Sequence, residues 1–157
     1  MPQSAAVPKA AVGHDGSMSL TSHASFVYYV PDPGAAADWY RDNLGFEIHG
    51  DHRDDEGGFK LVTVSPPGSD WQIIFGDVTV HGEGELADRF RAELGFAPHF
   101  MLVCDDLVQT VRELEARGVE IGQQPYESPL GPLASVKDLY GDAITVADRA
   151  AWQRLRR

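Results

Sequence analysis

The chain has 157 residues, of which 43% are hydrophobic, enough to build the core of one domain. Its formal charge is -11, and the middle of the chain carries -14, because residues 1–20 sum to zero and residues 148–157 sum to +3. This acidity argues against nucleic acid as a partner, since phosphates favour basic surfaces. No apolar run approaches the ~20 residues that span a bilayer, so no membrane partner is expected.

The first 21 residues are rich in Ala, Ser, Pro and Gly and carry neither a basic start nor a continuous apolar stretch. They are unlike a signal peptide, and we predict a disordered leader and a cytoplasmic protein. Cys104 is the single cysteine of the sequence. One cysteine excludes an internal disulfide framework and a cysteine-based zinc site.

Predicted elements begin with a strand at Ser25–Val30, an aromatic and β-branched run that Pro31 ends. Asp32 is a typical N-cap, and the apolar spacing over Gly34–Leu44 predicts a helix that stops at Gly45. Three extended segments follow at Phe46–His49, Phe59–Val64 and Trp71–Phe75. The order in this part of the chain is therefore β, α and three strands.

A linker over residues 77–98, with a short helix near Glu85–Leu94, separates this unit from a second one. There a strand at His99–Cys104 precedes a helix that Asp105 or Asp106 caps and Gly118 ends. The closing strands are predicted at Val119–Ile121, Leu133–Lys137 and Ala143–Ala147. The second unit repeats the order of the first.

Spacings between landmarks also repeat. Ser25 precedes Asp32 by 7 residues, and His99 precedes Asp106 by 7. Gly45 and Gly118 are each followed at 27 residues by a position in the last strand, Gln72 and Thr145 respectively. Such repetition indicates a duplication. We predict one α+β domain over 22–148, with modules at 22–76 and 99–148 and a tail at 149–157.

Three stretches carry a family resemblance: VPDPGAAADWYRDNLGFE, VCDDLVQTVRELEARGVE and the closing KDLYGDAITV. In this order they resemble the vicinal oxygen chelate superfamily, which includes glyoxalases, extradiol dioxygenases and bleomycin-resistance proteins. The ending is similar to the family's D-P-x-G-N pattern, with Leu139 and Asp142 at the Pro and Asn positions. Residues 58–77 are similar to a glyoxalase-like subgroup without assigned chemistry. The resemblance implies two βαβββ modules around one cavity.

Metal-dependent members of that superfamily hold their ion with one ligand from each of four strands. By the spacing above, these positions fall on Ser25, Gln72, His99 and Thr145, and only His99 has the expected residue type. Hydroxyls and an amide are weak ligands for transition metals. We therefore expect no tightly bound metal and no cofactor, although a slip of two residues would bring His23 into the site.

Strand alternation predicts which side chains face the cavity. The predicted lining consists of Ser25, Val27, Tyr29, Gln72 and Ile74 from the first module and His99, Met101, Val103 and Thr145 from the second. Apolar walls with a few polar groups are typical of small-molecule sites. His99 is either a general base or a hydrogen-bonded remnant of the ligand position, and Tyr29 either contacts a ligand or fills space.

The remaining candidates have plainer interpretations. Trp39 and Tyr40 are predicted to pack in the core, and Cys104 to act as a small buried hydrophobe. The charged loop around His49–Glu56 is predicted to be solvated. The tail is predicted to contain a short helix whose Trp152 and Leu155 pack on the domain or a partner.

Two functions follow from the resemblance. The first is a metal-independent protein that binds and sequesters a cationic or aromatic small molecule, as bleomycin-resistance-like members do, usually between the subunits of a homodimer. The alternative is a glyoxalase-like lyase or isomerase, or a dioxygenase-type enzyme, that uses His99 as base or metal ligand. A purely interacting domain is a third reading. The sequence leaves open whether the protein is catalytic, which ligand it takes, and whether it is a closed monomer or a domain-swapped dimer.

Overall fold

A computed structural model of the chain describes residues 24–53, 60–77, 83–92 and 99–156. The predicted leader, His23, Phe59 and the acidic residues of the loop at 54–56 lie outside the described residues. Within them, two modules of the predicted order are present.

The first module contains β1 (Ala24–Tyr29), α1 (Pro33–Leu44), β2 (Glu47–Asp51), β3 (Leu61–Ser65) and β4 (Trp71–Gly76). Its sheet has the strand order β1-β4-β3-β2, with β1 parallel to β4 and the other pairs antiparallel. A parallel pair needs a crossover connection, which α1 begins. The predicted helix ends are confirmed: Asp32 accepts a hydrogen bond from the Ala35 backbone N–H, and Gly45 has a left-handed φ of 72°.

The second module follows α2 (Glu85–Ala92) of the linker and contains β5 (Met101–Cys104), α3 (Leu107–Ala116), β6 (Ile121–Ser128), β7 (Gly131–Lys137) and β8 (Ala143–Asp148). Its strand order, β5-β8-β7-β6, repeats the first sheet. Asp106 is the N-cap of α3 and accepts from the Gln109 backbone N–H at 2.9 Å. The predicted α+β fold with two βαβββ modules is confirmed.

Several predicted strand boundaries in this module were wrong, most clearly those of β5 and β6. β5 begins at Met101, two residues after the predicted start at His99, and β6 extends to Ser128 instead of ending at Ile121. Phe100 lies before β5 with its ring 5.8 Å from the Trp71 ring, so its position is determined by a contact with the first module. The longer β6 pairs with β7 as far as Ser128 opposite Gly131, a pairing that polar residues in β6 concealed.

One hydrophobic core joins the modules. It contains Tyr28, Tyr40 and Phe75 from the first module together with Val111 and Ile144 from the second. The predicted core role of Tyr40 is confirmed, since only 1% of its surface is exposed. The two sheets therefore share one hydrophobic core.

A final helix, α4 (Arg149–Leu155), continues directly from β8, as predicted for the tail. Ala151 packs with Leu133 and Ala147 of the second sheet, and Met101 packs against this cluster. Trp152 and Leu155 are 41% and 46% exposed, so Ala151 is the residue through which α4 is anchored. None of the described helices is long and apolar enough to cross a membrane.

Candidate functional site

The first sheet has one face covered by α1 and an opposite face whose described side chains are mostly exposed or partly exposed, which we call the open face. Alternation in β4 separates them: Ile73 and Phe75 are buried toward the helix, while Gln72 and Ile74 lie on the opposite side and are partly exposed. In β1, Val27 on the open face is 49% exposed and Tyr28 on the other face is fully buried. The open face therefore carries the five predicted site residues of the first module: Ser25, Val27, Tyr29, Gln72 and Ile74.

Ser25 and Gln72 are neighbours on this face, as their spacing in the sequence predicted. They are opposite each other in the β1–β4 register, and Gln72 Nε2 donates to Ser25 Oγ at 3.0 Å. Tyr29 lies over Gly76, where an added methyl group would be 3.6 Å from the ring. The two positions that correspond to metal ligands in the first module thus hold a neutral hydroxyl–amide pair beside an aromatic ring.

A histidine that sequence reasoning placed in a solvated loop is part of the same face. His49 lies in β2, and its Nε2 is 2.7 Å from Ser65 Oγ. The imidazole, the Ser65 hydroxyl and the Ser25–Gln72 pair border one pocket of about 290 Å³, together with Ser69, Asp70 and Trp71. The alternation Glu47–Ile48–His49 was the signal that would have identified this face.

The second module does not reproduce this arrangement. Thr145 of β8 is opposite Met101 of β5, whereas the duplication count placed it level with His99. His99 is exposed and precedes the strand. The structure thus aligns Ser25 with Gln72 but does not align His99 with Thr145.

The corresponding face of the second sheet carries α4, which packs on it through Ala151. Met101 packs against the cluster that includes Ala151, and Thr145 is partly buried. Val103, at the other end of β5, is 41% exposed. Of the predicted second-module residues, Met101 therefore packs beside α4, Thr145 is partly buried, and His99 and Val103 are exposed.

The KDLYGD motif lies at the joint between the modules and not in the pocket. Asp138 accepts hydrogen bonds from the Tyr28 and Tyr40 hydroxyls, each at 3.1 Å, and Tyr28 also donates to Asp142 at 2.5 Å. The second Asp138 oxygen accepts from the backbone N–H groups of Tyr140 and Asp142. This part of the resemblance is thus explained by packing and turn formation.

Burial is the largest influence on the pKa values of the side chains between the two modules. It raises the pKa of Asp138 above its usual range, despite the four hydrogen bonds that favour its ionised form. It also raises the pKa values of Tyr28 and Tyr40, and the nearby Asp138 and Asp142 raise them further. Both tyrosines therefore remain protonated hydrogen-bond donors.

The other titratable groups do not form a metal centre. Arg53 bonds Asp38 and Asp51 and lowers the pKa of both carboxyl groups. Cys104 is half-buried, its thiol donates to the Ala147 carbonyl at 3.4 Å, and burial raises its pKa. Among residues 24–53, 60–77, 83–92 and 99–156, no group of three or more His, Cys, Asp or Glu side chains is arranged to hold a metal ion.

Comparison with known proteins supports the architecture. The sequence model of the Glyoxalase/Bleomycin resistance protein/Dioxygenase superfamily matches residues 22–155. An uncharacterized protein of Shewanella frigidimarina is 27% identical over 113 residues, which are 72% of this chain and 82% of that protein. TnmS3, an antibiotic binding protein from Streptomyces sp. CB03234, has a TM-score of 0.66 and 23% identity, with 84% of this chain and 98% of that one covered. Lactoylglutathione lyase from Agrobacterium tumefaciens has a TM-score of 0.60 and 18% identity, with 86% and 98% covered.

Proposed function

The chain belongs to the Glyoxalase/Bleomycin resistance protein/Dioxygenase superfamily, and on that premise we propose that it binds a small organic molecule on the open face without a metal ion. The observation that carries the proposal is the hydrogen bond from Gln72 to Ser25. At these two positions metal-dependent relatives supply charged or imidazole ligands, whereas a hydroxyl and an amide hydrogen-bond a neutral or cationic organic group well.

An aromatic or cationic ligand fits the chemistry of this face best. Val27, Tyr29 and Ile74 offer apolar and aromatic surface beside the polar Ser25–Gln72 pair. A ring stacked on Tyr29 would gain dispersion and quadrupole energy, and a cation would also be attracted by the -14 charge of the middle of the chain. The antibiotic-binding description of TnmS3 is in line with a resistance-type role, in which the ligand is sequestered.

The proposal includes a homodimer and a cytoplasmic location. The open face is one wall of a site, and burial of most of a ligand's surface needs a second wall. In the proposed dimer the second wall comes from the partner's second module at its exposed His99, and the predicted Met101 and Thr145, which are partly buried, are not part of that wall. Such an arrangement places two identical sites across a two-fold axis.

Calorimetric titration with ethidium, a planar aromatic cation, tests the proposal. Val27→Trp fills the open face and should weaken ethidium binding at least about tenfold, because it takes the space of the ligand. Val108→Trp is the matched control, since Val108 is similarly exposed, at 48%, but lies on α3. Equal affinities for the two variants, or no binding by the unmodified protein of ethidium and its uncharged parent phenanthridine, would contradict the proposal.

One contact favours a second function, catalysis on the same face. Both His49 and His99 are exposed, but His49 borders the pocket, with its Nε2 2.7 Å from Ser65 Oγ, whereas His99 precedes β5, so His49 is better placed to exchange a proton with a molecule bound there. In this enzymatic version His49 replaces His99 as the base. Turnover of a bound carbonyl compound that is lost in His49→Gln, while binding is retained, would establish it.

A further inference from the structure

A second cavity lies away from the open face, between the two modules. We call it the module cleft, and its volume is about 500 Å³. This size falls within the range of ligand pockets, about 300–1,000 Å³. Its walls come from the C-terminal end of α1, the beginning of β4, β5, α3 and α4. Ser25, Val27, Gln72 and His49 do not line it, although Trp71 borders both this cleft and the open-face pocket.

Apolar and aromatic side chains from both modules make up most of the lining. The first module contributes Phe46, Pro66 and Trp71, and the second contributes Leu102, Val103 and Trp152. Trp71 is fixed from three sides by the rings of Phe26, Phe46 and Phe100. A rigid indole on one side and the partly exposed indole of Trp152 on another favour a flat aromatic molecule.

The floor of the cleft is the outer edge of β5. Among the described strands this one pairs only with β8, at the end of the second sheet. Leu102 and Val103 point to opposite faces of the sheet, yet both line the cleft, so the strand edge itself faces the cavity. An unpaired strand edge presents backbone N–H and C=O groups in one plane. A flat ligand with polar edge atoms would find hydrogen-bond partners there.

The Arg117 guanidinium at the α3 side of the cleft indicates which polar group a ligand should carry. Arg117 donates one N–H to the Asn43 carbonyl at 3.1 Å, and a guanidinium has five N–H groups. Its remaining donors favour an oxygen acceptor on a ligand. Glu113, which also lines the cleft, disfavours a formal negative charge at the same place.

We propose that the module cleft is a second ligand site that takes a planar aromatic compound carrying an uncharged oxygen acceptor, such as a lactone, aryl ketone or lactam. The aromatic body lies against Trp71 and Trp152, and the oxygen accepts from Arg117. Binding is non-covalent: the Cys104 thiol at the cleft wall is engaged with the Ala147 carbonyl and remains protonated.

Fluorine NMR of the full chain labelled with 5-fluorotryptophan tests the proposal. The chain has three tryptophans, and Trp→Phe variants assign their signals. Trp71 and Trp152 line the cleft, whereas Trp39 packs on Tyr40 in α1 and is an internal control. Coumarin, a planar lactone, should shift the Trp71 and Trp152 signals in a saturable manner with a dissociation constant of about 1 mM, as expected for so small a fragment. The Trp39 signal should not move.

Substitutions distinguish specific binding in the module cleft from non-specific binding to the protein surface. Val103→Trp fills the cleft and should weaken coumarin binding, followed at the Trp152 signal, at least about tenfold, whereas Val27→Trp, on the open face, should leave the binding seen at Trp152 unchanged. Arg117→Ala should remove the preference for coumarin over naphthalene, which has the same ring size and no oxygen, while naphthalene binding stays the same. Retained naphthalene binding shows that the cleft itself is intact, even though Arg117 also bonds the Asn43 carbonyl.

Several results would overturn the proposal: no saturable shift of Trp71 and Trp152 with coumarin up to 10 mM, equal loss of coumarin affinity in Val103→Trp and Val27→Trp, or an unchanged preference for coumarin in Arg117→Ala. Its failure is distinguishable from failure of the proposed open-face function, because that function is tested with ethidium and is lost in Val27→Trp. Each site can therefore be present without the other.

Discussion

The two modules share a backbone plan but differ in the face that a ligand would meet. In the first, the sheet face opposite α1 is open, with Val27 49% exposed beside the Ser25–Gln72 pair. In the second, α4 lies on the equivalent face, with Ala151 fully buried against Leu133 and Ala147. The two modules therefore share the strand order and the aspartate N-caps but differ in how far this face is exposed.

Local features explain why α4 remains in this position. Asp148, the last residue of β8, caps the helix by accepting from the Ala151 backbone N–H at 2.7 Å. Gly131 in β7 provides the room, since an added methyl group would lie 3.3 Å from the Ala151 Cβ. The helix thus leaves the sheet without a loop and turns immediately across it. The first module has the linker 77–98 at the equivalent point.

The largest expected effect concerns the joint that both modules share. Asp138→Ala removes the acceptor of the Tyr40 hydroxyl and of two backbone N–H groups, and leaves the Tyr28 hydroxyl only its bond to Asp142. Buried donors without partners should lower the free energy of unfolding by about 4 kcal/mol in urea denaturation. Asp105→Ala, which removes an exposed ion pair with Arg149, is the control and should cost less than about 0.5 kcal/mol. Similar losses for the two variants would mean that the joint does not hold the modules together.

The next largest effect is expected when the packing of α4 on the second sheet is disrupted. Ala151→Asp places a carboxylate against Leu133 and Ala147 and should lower the free energy of unfolding by about 3 kcal/mol, or detach α4. The neighbouring Ala150 is exposed, and Ala150→Asp should change stability by less than about 0.5 kcal/mol. Hydrogen exchange of the α4 amides measures detachment directly. If Ala151→Asp changed neither the free energy of unfolding nor the hydrogen exchange of the α4 amides, the packing of α4 on this face would be contradicted.

A smaller effect is expected where β7 makes room for the helix. Gly131→Ala strains a residue with a φ of +118° and brings its methyl group against Ala151, so the unfolding free energy should fall by about 2 kcal/mol. Gly68→Ala has a φ of +70° and open space around it, and should cost only about 1 kcal/mol. Thermal unfolding of the two variants measures the contribution of the contact with α4. Equal losses of unfolding free energy in Gly131→Ala and Gly68→Ala would show that backbone strain alone destabilises them.

The smallest expected effect is a decrease of folding stability at alkaline pH. Burial raises the folded-state pKa of Tyr40, so its contribution is present below the unfolded value of about 10 and is lost as the pH rises above it. Stability should therefore decrease between about pH 9 and 11. In Tyr40→Phe this decrease should be shallower by up to about 1.4 kcal/mol per pH unit above pH 10. If the free energy of unfolding decreased equally steeply with pH in Tyr40→Phe, the decrease would have to come from another group, for example Tyr28.

Much of the first module could be predicted because its signals are local. Asp32 and Gly45 are visible as caps, and the Gly45–Gln72 spacing correctly placed Gln72 opposite Ser25. The register in the second module could not be predicted, because Phe100 packs on Trp71, a residue of the other module. His49 was missed because the charged residues after it resemble a loop. The module cleft depends on how α3, α4 and α1 come together, which no local pattern contains.

Metal-free ligand binding on the open face is the central claim, and one titration tests it most directly. Ethidium is titrated into protein purified without chelators and, in parallel, into protein dialysed against EDTA, with the metal content of both samples measured by elemental analysis. The proposed function predicts the same affinity in both samples, with no stoichiometric metal, and a loss of at least about tenfold in Val27→Trp. Binding that disappears on chelation and returns with added metal would contradict it.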